Sequence, residues 1–160
     1  MAQRQLPDLG RRGEGWFLLQ LVLFGAIAAS GVDGPAWGGR ARPVGAAAGI
    51  LLISCGGILA LRGVLDLRDN LTPFPRPLAG ARLVKSGAYS LVRHPIYGGL
   101  ILGAGGWGLL TASPLALLGA VVLAAFFNLK SRREEAWLAD QFEEYDAYRS
   151  RTKRLLPWIC

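Results

Sequence analysis

Three long uncharged stretches, separated by polar segments, dominate the pattern of hydrophobic and polar positions along this chain. The first covers residues 16–32, and the second covers 44–65 with Arg62 as its one charge. The third runs from residue 96 to residue 129. Stretches of about 20 apolar residues are long enough to cross a bilayer as helices. The pattern therefore predicts an all-α integral membrane protein.

The third stretch is too long for one crossing. As a single helix its 34 residues would extend about 51 Å, against a hydrocarbon core of about 30 Å. Thr111–Pro114 provides a break, which predicts two antiparallel spans over 96–112 and 114–129. Four spans are thus expected in one membrane domain, 1–160. In the second span, Gly45 and Gly49 form a pair of small residues that favours close helix packing, and Gly98, Gly99 and Gly103 are expected to line the packed side of the third.

Two polar segments complete the pattern. Residues 66–95 form the longest connection, and its alternating prolines over 72–77 exclude a helix there, so an ordered loop over the membrane face is expected. Residues 130–152 are charged and strongly helical, with Leu138, Phe142 and Tyr145 spaced as one apolar stripe. This segment is predicted to continue the fourth span as an amphipathic helix on the cytoplasmic surface.

Charge sets the predicted orientation. Of 18 Lys and Arg residues, three precede the first span, six lie in or beside the 66–95 loop and seven follow the fourth span. The loop over 33–43 holds two. Because positive residues favour the cytoplasmic side, both termini are expected in the cytoplasm, with the chain in a bacterial inner membrane. The net charge of +7 is explained by this topology and by anionic lipid headgroups, and no nucleic-acid partner is expected.

Two further features of the sequence, the charged start and the cysteines, are explained without a functional site. The charged start before residues 16–32 is also typical of a signal peptide, although the length of the run favours a retained span. Cys55 and Cys160 form neither a disulfide framework nor a metal site. Cys55 is expected to be a small buried thiol.

The candidate chemistry lies where the loop meets the third span. His94, the one histidine of the chain, precedes Pro95, which fits the first position of a helix. Because the 96–129 hairpin returns to its starting side, His94 and Glu134 should be close in space. An imidazole, two carboxylates (Glu134 and Glu135), aromatic rings and a helix N-terminus suit a zwitterion that carries a further cation. S-adenosylmethionine is one such molecule, although these properties alone do not single it out.

Two motifs in these segments carry a resemblance. Residues 87–99 follow the pattern G-x-Y-x-x-x-R-H-P-x-Y-x-G, and residues 134–151 follow E-E-x-x-L…F-x-x-Y-x-x-Y…R. In this order, and on either side of a helical hairpin, they resemble the isoprenylcysteine carboxyl methyltransferase and phospholipid methyltransferase superfamily. The likeness covers about residues 66–157 and implies methyl transfer from S-adenosylmethionine at the membrane face.

Carried over position by position, the resemblance implies a set of cofactor-binding residues: Ala81, Arg82, Leu83, Val84, Tyr89, His94, Pro95, Ile96, Tyr97 and Glu134. Lys130 stands where the eukaryotic enzymes place a substrate-binding arginine, and lysine lacks the planar two-point grip of arginine on a carboxylate. Glu143 and Thr152-Lys153 also depart from the family pattern. No metal is required. Arg93, Glu135 and Tyr148 are candidates for a catalytic base, and the sequence does not decide among them.

The acceptor also stays open. A lipid-like or small hydrophobic molecule with a carboxylate, amine or thiol is favoured over a prenylated protein. The alternative interpretation is a non-catalytic membrane partner or a small transport subunit that retains the fold.

Overall fold

The computed structural model describes residues 7–33, 36–39, 41–78 and 80–156, and it is helical throughout its long elements. In chain order the helices are α1 Glu14–Val32, α2 Ala41–Leu67, α3 Ala88–Leu91, α4 Pro95–Leu110, α5 Pro114–Gln141 and α6 Tyr145–Arg151. A single 3-10 turn, Arg68–Asn70, follows α2.

Three of these helices, α1, α2 and α5, are long and apolar enough to cross a membrane. Helix α1 begins two residues before its predicted span and ends with it, and α2 begins three residues before its predicted span and ends two residues after it. Helix α4 is apolar but shorter, with 16 residues, or about 24 Å of rise. The structure therefore supports an all-helical membrane protein with three candidate spans and one shorter apolar helix.

Glycines form the contact between α2 and α4. A Cβ on Gly49 would lie 2.6 Å from Gly106 O, and one on Gly56 would lie 2.5 Å from Gly99 O. The close packing predicted from Gly45 and Gly49 is confirmed, since the two backbones touch where any larger residue would force them apart. The contact recurs every seven residues, which keeps it on one face of each helix.

Gly103 does not lie on this closest line. A Cβ on it would meet nothing within 4 Å, although its backbone N would lie 3.0 Å from a Cβ on Gly56, so Gly103 borders the close contact without requiring glycine. The seven-residue spacing from Gly99 leads to Gly106 instead. The same geometry corrects Cys55, which is exposed. Helix α2 turns its neighbour Gly56 toward α4 and therefore directs Cys55 outward. Cys160 lies outside the described residues.

Helices α4 and α5 are joined by a tight turn and run back along each other. Ala112 adopts a positive φ of 53°, and the Ser113 hydroxyl accepts a hydrogen bond from Ala116 N–H as the N-cap of α5. The same hydroxyl donates to Ser30 O, 2.7 Å away in α1. The turn therefore also anchors the end of α1.

The predicted single helix over 130–152 is interrupted. Residues 130–141 continue α5, but the chain leaves the helix at Phe142, which adopts an extended conformation (φ −125°, ψ 110°). Helix α6 begins at Tyr145. The break separates α6 from α5. Periodicity missed it because the apolar residues on both sides of the break face the same interior.

The central loop is fixed by side chains. Asn70 and Arg82 exchange two hydrogen bonds, through Nδ2 to Arg82 O at 3.0 Å and from Arg82 N–H to Oδ1 at 3.2 Å. Asp66 accepts a hydrogen bond from Ala88 N–H at 2.7 Å. Near the C-terminus, Arg93 and His94 donate backbone hydrogen bonds to Lys153 O and Arg154 O. The C-terminal segment is thereby held against the start of α4.

Candidate functional site

A cavity of about 330 Å³ lies at the polar end of the helices, among the central loop, α4, α5 and α6. Its volume is within the range of small-molecule sites, about 300–1,000 Å³. Apolar side chains dominate its wall, and a few polar groups converge on it. The polar residues are Gln20, Asn70, Thr72, Arg82, Tyr89, Arg93, His94, Tyr97, Lys130, Glu134, Tyr145 and Tyr148.

A stack of three rings forms one wall. The His94 imidazole lies parallel to the Tyr97 ring at 5.3 Å between centroids, and Tyr97 stacks on Phe127 at 4.5 Å. The Tyr97 hydroxyl donates to Glu134 Oε2 at 2.8 Å. His94 Nδ1 lies 3.8 Å from the same oxygen. His94 and Glu134 are therefore close in space, as expected. The Tyr97 hydroxyl of α4 makes the direct hydrogen bond to Glu134 of α5.

Glu135 is the centre of a separate cluster behind this wall. Its carboxylate accepts from Arg93 Nε at 2.8 Å and from two guanidinium nitrogens of Arg154, at 3.1 Å and 3.0 Å. Arg93 also donates to the backbone carbonyls of Arg149 and Thr152. Glu135 is 3% exposed, so it forms a buried ion cluster that fastens the C-terminal segment to α4 and α5.

His94 connects the two regions. It is 5% exposed, and its Nε2 lies 3.3 Å from Glu135 Oε1 without the geometry of a hydrogen bond. The Tyr145 hydroxyl is likewise buried without a hydrogen-bond partner among the described residues. Buried polar atoms are nearly always satisfied, so the Tyr145 hydroxyl is a candidate for contact with a ligand, whereas His94 Nε2 faces the Glu135 carboxylate.

Lys130 is the buried cation of the site, at 1% exposure. Its Nζ donates to Gln20 Oε1 at 2.7 Å and lies 3.4 Å from Pro73 O. It also lies over the Tyr97 ring, 5.1 Å from the centroid. Through these contacts Lys130 joins α1, the central loop and α4 at one point of the cavity wall.

Two tyrosines close the cavity near α6. The Tyr148 hydroxyl donates to Tyr89 O at 2.6 Å. Burial raises the pKa of Tyr148 to about 12. Burial, and then the nearby Glu134 charge, also raise the pKa of Tyr89. Both phenols therefore stay neutral at physiological pH, and the Tyr148 hydroxyl acts as a hydrogen-bond donor.

The structure brings most of the residues named from the sequence to this one cavity. Those on its wall are Ala81, Arg82, Leu83, Val84, Tyr89, Arg93, His94, Ile96, Tyr97, Lys130, Glu134 and Tyr148. Pro95 and Glu135 lie outside the wall. Pro95 packs near Gly63, where a Cβ would come within 2.9 Å of its Cγ, and Glu135 is enclosed by its arginines.

Sequence reasoning missed four polar residues of the cavity, and one of them, Thr72, is a loop residue without a distinguishing motif. Gln20 carried a signal, because an amide inside an apolar span is costly unless it has a partner. Tyr145 was assigned to a packing stripe, and its hydroxyl is directed inward only because the helix breaks before it. Asn70 shows no motif that would separate it from an ordinary loop residue.

A second cavity of about 460 Å³ lies between α1, α2 and α4. Its wall is apolar and includes Phe24, Ile53, Gly103 and Trp107. Leu100 lines both this cavity and the polar one. The two cavities therefore adjoin at the Leu100 side chain.

The polar cavity fits S-adenosylmethionine. The first turn of α4 provides N–H groups without intrahelical partners for a carboxylate, and Glu134 faces the cavity as an anion for an ammonium. The Tyr145 hydroxyl offers a polar atom without a hydrogen-bond partner among the described residues, and apolar loop residues offer a surface for a purine. Among the described residues, no group of three or more His, Cys, Asp or Glu side chains could hold a metal ion.

The sequence profile of the phospholipid methyltransferase family matches residues 44–145. This match covers more than half of the chain and includes the cavity-forming parts of α2, the central loop, α4 and α5. The chain therefore belongs to the phospholipid methyltransferase family, and the resemblance found from its two motifs is confirmed.

The relatives are named either as methyltransferases or as metal-resistance proteins. Protein-S-isoprenylcysteine O-methyltransferase of Saccharomyces cerevisiae is 40% identical over 79 residues, which is 48% of this chain and 33% of that protein. A probable protein-S-isoprenylcysteine O-methyltransferase of Oryza sativa subsp. indica is 34% identical over 80 residues, 49% of this chain and 42% of that protein. Cobalt-zinc-cadmium resistance protein CzcN of Cupriavidus metallidurans is 38% identical over 76 residues, 47% and 35% respectively. The chain thus spans about a third to two fifths of the length of these relatives.

Proposed function

We propose that this protein is an S-adenosylmethionine-dependent methyltransferase that acts at the cytoplasmic membrane face on a lipid-like or small hydrophobic acceptor. The observation that carries the proposal is the polar cavity, on which Tyr89, His94, Tyr97 and Glu134 from both family motifs converge. Family membership supports the reaction class, and the lysine and arginine distribution supports the orientation.

In this proposal, different residues of the site bind different parts of the cofactor. Glu134, oriented by the Tyr97 hydroxyl, is placed to bind an ammonium. The start of α4 after His94 is placed to bind a carboxylate. The loop over 81–84 and Tyr89 complete an apolar wall on the other side. When bound, S-adenosylmethionine supplies a methyl group already activated on a sulfonium. The task of the protein is then alignment and exclusion of water.

The candidates for a base differ in what their surroundings allow. Glu135 accepts three hydrogen bonds from arginines and lies behind the wall. Arg93 is committed to Glu135 and to two carbonyls. Tyr148 is a neutral donor to Tyr89 O. These contacts favour a positioning role for all three. We therefore propose that no side chain takes a proton from the acceptor. The proton passes to solvent, or the acceptor binds in its deprotonated form.

Transfer of label from methyl-labelled S-adenosylmethionine tests the proposal. Membranes that contain the wild-type protein, and matched membranes that contain Glu134→Gln, are incubated and separated into lipid, protein and volatile fractions. The expected result is label in one fraction with the wild type only, which also names the acceptor class. Wild-type protein that neither binds S-adenosylhomocysteine nor transfers label would contradict the proposal.

A second function is favoured by two relatives named for metal resistance, CzcN and the nickel-cobalt-cadmium resistance protein NccN of Alcaligenes xylosoxydans. In this alternative the chain is a non-catalytic membrane component that retains the family fold. It predicts a stable complex with another membrane protein and no label transfer. Purification of the chain alone, folded and active in methyl transfer, would exclude this alternative.

A further inference from the structure

One wall of the polar cavity is a loop. Residues 72–78, here called the cover loop, contribute these residues to the wall: Thr72, Pro73, Phe74, Pro75, Pro77 and Leu78. The other walls include parts of the packed helices α4 and α5. Loops open locally at a lower free-energy cost than packed helices, so the cover loop is the wall that can move. Movement of such a loop admits a ligand and then excludes water around it.

The outer side of the cover loop contacts residues 7–13, here called the N-terminal segment. Arg76 donates from its side chain to Arg11 O at 3.0 Å and from its backbone N–H to Arg12 O at 3.4 Å. The Arg12 guanidinium lies over the Phe74 ring, 4.8 Å from its centroid. Arg76 is exposed and does not line the cavity, so these contacts hold the cover loop from outside.

Gly13 and Pro75 form the closest contact between the two segments. A Cβ on Gly13 would lie 2.5 Å from Pro75 Cγ, and Gly13 also has a φ of 80°. Pro75 is fully buried and lines the cavity. Because glycine has no Cβ and adopts positive φ readily, the N-terminal segment can lie directly against the cover loop at this point.

The N-terminal segment is itself anchored to two long helices. Asp8 accepts a hydrogen bond from Arg133 Nε of α5 at 2.6 Å. The Trp16 ring of α1 donates from Nε1 to Pro7 O at 3.1 Å and packs on Phe126 of α5, 5.7 Å between centroids. The N-terminal segment therefore connects the cover loop to parts of the fold that are held by helix packing.

We propose that the N-terminal segment holds the cover loop closed over the polar cavity, and that its release controls the rates at which the cofactor enters and leaves. The inference rests on the proposed function for the identity of the ligand. The family match covers residues 44–145, so it gives no account of the N-terminal segment. Contacts that are the same with and without ligand stabilise both closed states equally. Weakening them therefore raises the rates of entry and exit together and leaves the affinity unchanged.

Hydrogen–deuterium exchange of the full chain in lipid nanodiscs measures the closure of the cover loop without a ligand. Since every second residue over 73–77 is proline, the amide protons there belong to Phe74 and Arg76, and the Arg76 amide is bonded to the N-terminal segment. Arg76→Met removes the side-chain bond to Arg11 O, and Gly13→Ala places a methyl group against Pro75. Both variants should exchange these amides at least about threefold faster than the wild type.

Each variant has a matched control. Arg68→Met changes another exposed arginine of the central loop that does not line the cavity. Gly39→Ala introduces the same strain, because Gly39 also has a φ of 80°, but a Cβ there would meet nothing within 4 Å. Both controls should exchange the cover-loop amides at the wild-type rate.

Stopped-flow binding of S-adenosylhomocysteine to the same proteins tests the control of cofactor exchange. In Arg76→Met and Gly13→Ala, the association and dissociation rates should both rise about threefold to tenfold, with Kd within about twofold of the wild type. A faster dissociation alone, with an equal loss of affinity, would overturn the proposal, because the contacts would then stabilise only the bound state. Amide exchange and binding rates equal to those of the controls would also overturn it. Faster amide exchange in both variants, without any binding by folded wild-type protein, would support closure by the N-terminal segment and count against the methyltransferase proposal.

Discussion

Glu134 and Glu135 are neighbours in the chain, yet they belong to two different regions of the molecule. Glu135 is buried, and its carboxylate accepts three hydrogen bonds from Arg93 and Arg154. The Glu134 side chain is 24% exposed, faces the cavity and accepts one hydrogen bond, from Tyr97. Adjacent residues on a helix point about 100° apart, so one carboxylate holds the C-terminal segment and the other faces the cavity, where we propose that it binds a ligand. The comparison suggests a rule for this pair. The carboxylate whose acceptor capacity is filled by hydrogen bonds stabilises the fold, and the carboxylate with free acceptor capacity is the candidate for ligand binding.

The largest effect is expected from removing the saturated carboxylate. Glu135→Ala would leave Arg93 and Arg154 without their anion at a buried point, which costs about 3–5 kcal/mol. Thermal unfolding of the purified protein in micelles should show a large loss of stability or no folded protein. A loss below about 1 kcal/mol would mean that the cluster does not hold the C-terminal segment.

Loss of the Glu134 carboxylate should act on binding instead. In Glu134→Gln the Tyr97 hydroxyl can still donate to the amide oxygen, so stability should change by less than about 1 kcal/mol. The affinity for S-adenosylhomocysteine should fall about tenfold to a hundredfold, because a hydrogen bond to a charged group is removed. Calorimetry measures both quantities. An unfolding temperature that falls as far as in Glu135→Ala would erase the distinction between the two residues.

Tyr97→Phe sharpens the comparison by disturbing Glu134 indirectly. The stacking on His94 and Phe127 is kept, and only the 2.8 Å hydrogen bond is removed. A neutral donor is worth about 1 kcal/mol, so cofactor affinity should fall about fivefold. The double variant with Glu134→Gln should show less than the sum of the two effects, since both act through one oxygen. Full additivity of the two effects would mean that the Tyr97 hydroxyl acts on cofactor binding through a contact other than Glu134.

The smallest effect on rate is expected at Tyr148. Because burial raises its pKa to about 12, its phenol stays protonated between about pH 6 and 9 and cannot serve as a base there. Tyr148→Phe should leave the shape of the pH–rate profile unchanged and the rate within about threefold. Stability should fall by about 1 kcal/mol through the lost bond to Tyr89 O. If Tyr148→Phe removed one limb of the pH–rate profile, Tyr148 would act as a catalytic acid or base, contrary to this prediction.

Much of the fold followed from composition along the chain. Uncharged runs located α1, α2 and the α4–α5 pair, and the Thr111–Pro114 signal located the turn, because membrane length and proline chemistry act locally. The break at Phe142 was missed. Leu138, Phe142 and Tyr145 lie on the same cavity wall on both sides of the break, so helical periodicity over 130–152 gives no sign of it.

The candidate site could be predicted in part for a similar reason. Motifs brought His94, Tyr97 and Glu134 forward, and the turn between α4 and α5 brought them together. The sequence did not distinguish Glu134 from Glu135, since their roles depend on arginines 42 and 19 residues away from Glu135. Gln20 was also missed, because its importance comes from a contact across 110 residues.

Equilibrium binding of S-adenosylhomocysteine to the full chain in lipid nanodiscs tests the central claim most directly. Wild-type protein is compared with Glu134→Gln and with Gln141→Leu, a matched change outside the cavity. The account predicts saturable binding by the wild type and the Gln141 variant, and binding weaker by at least about tenfold in Glu134→Gln. Absence of binding by folded wild-type protein, or equal affinity in all three, would contradict the assignment of this cavity as a methyltransferase cofactor site.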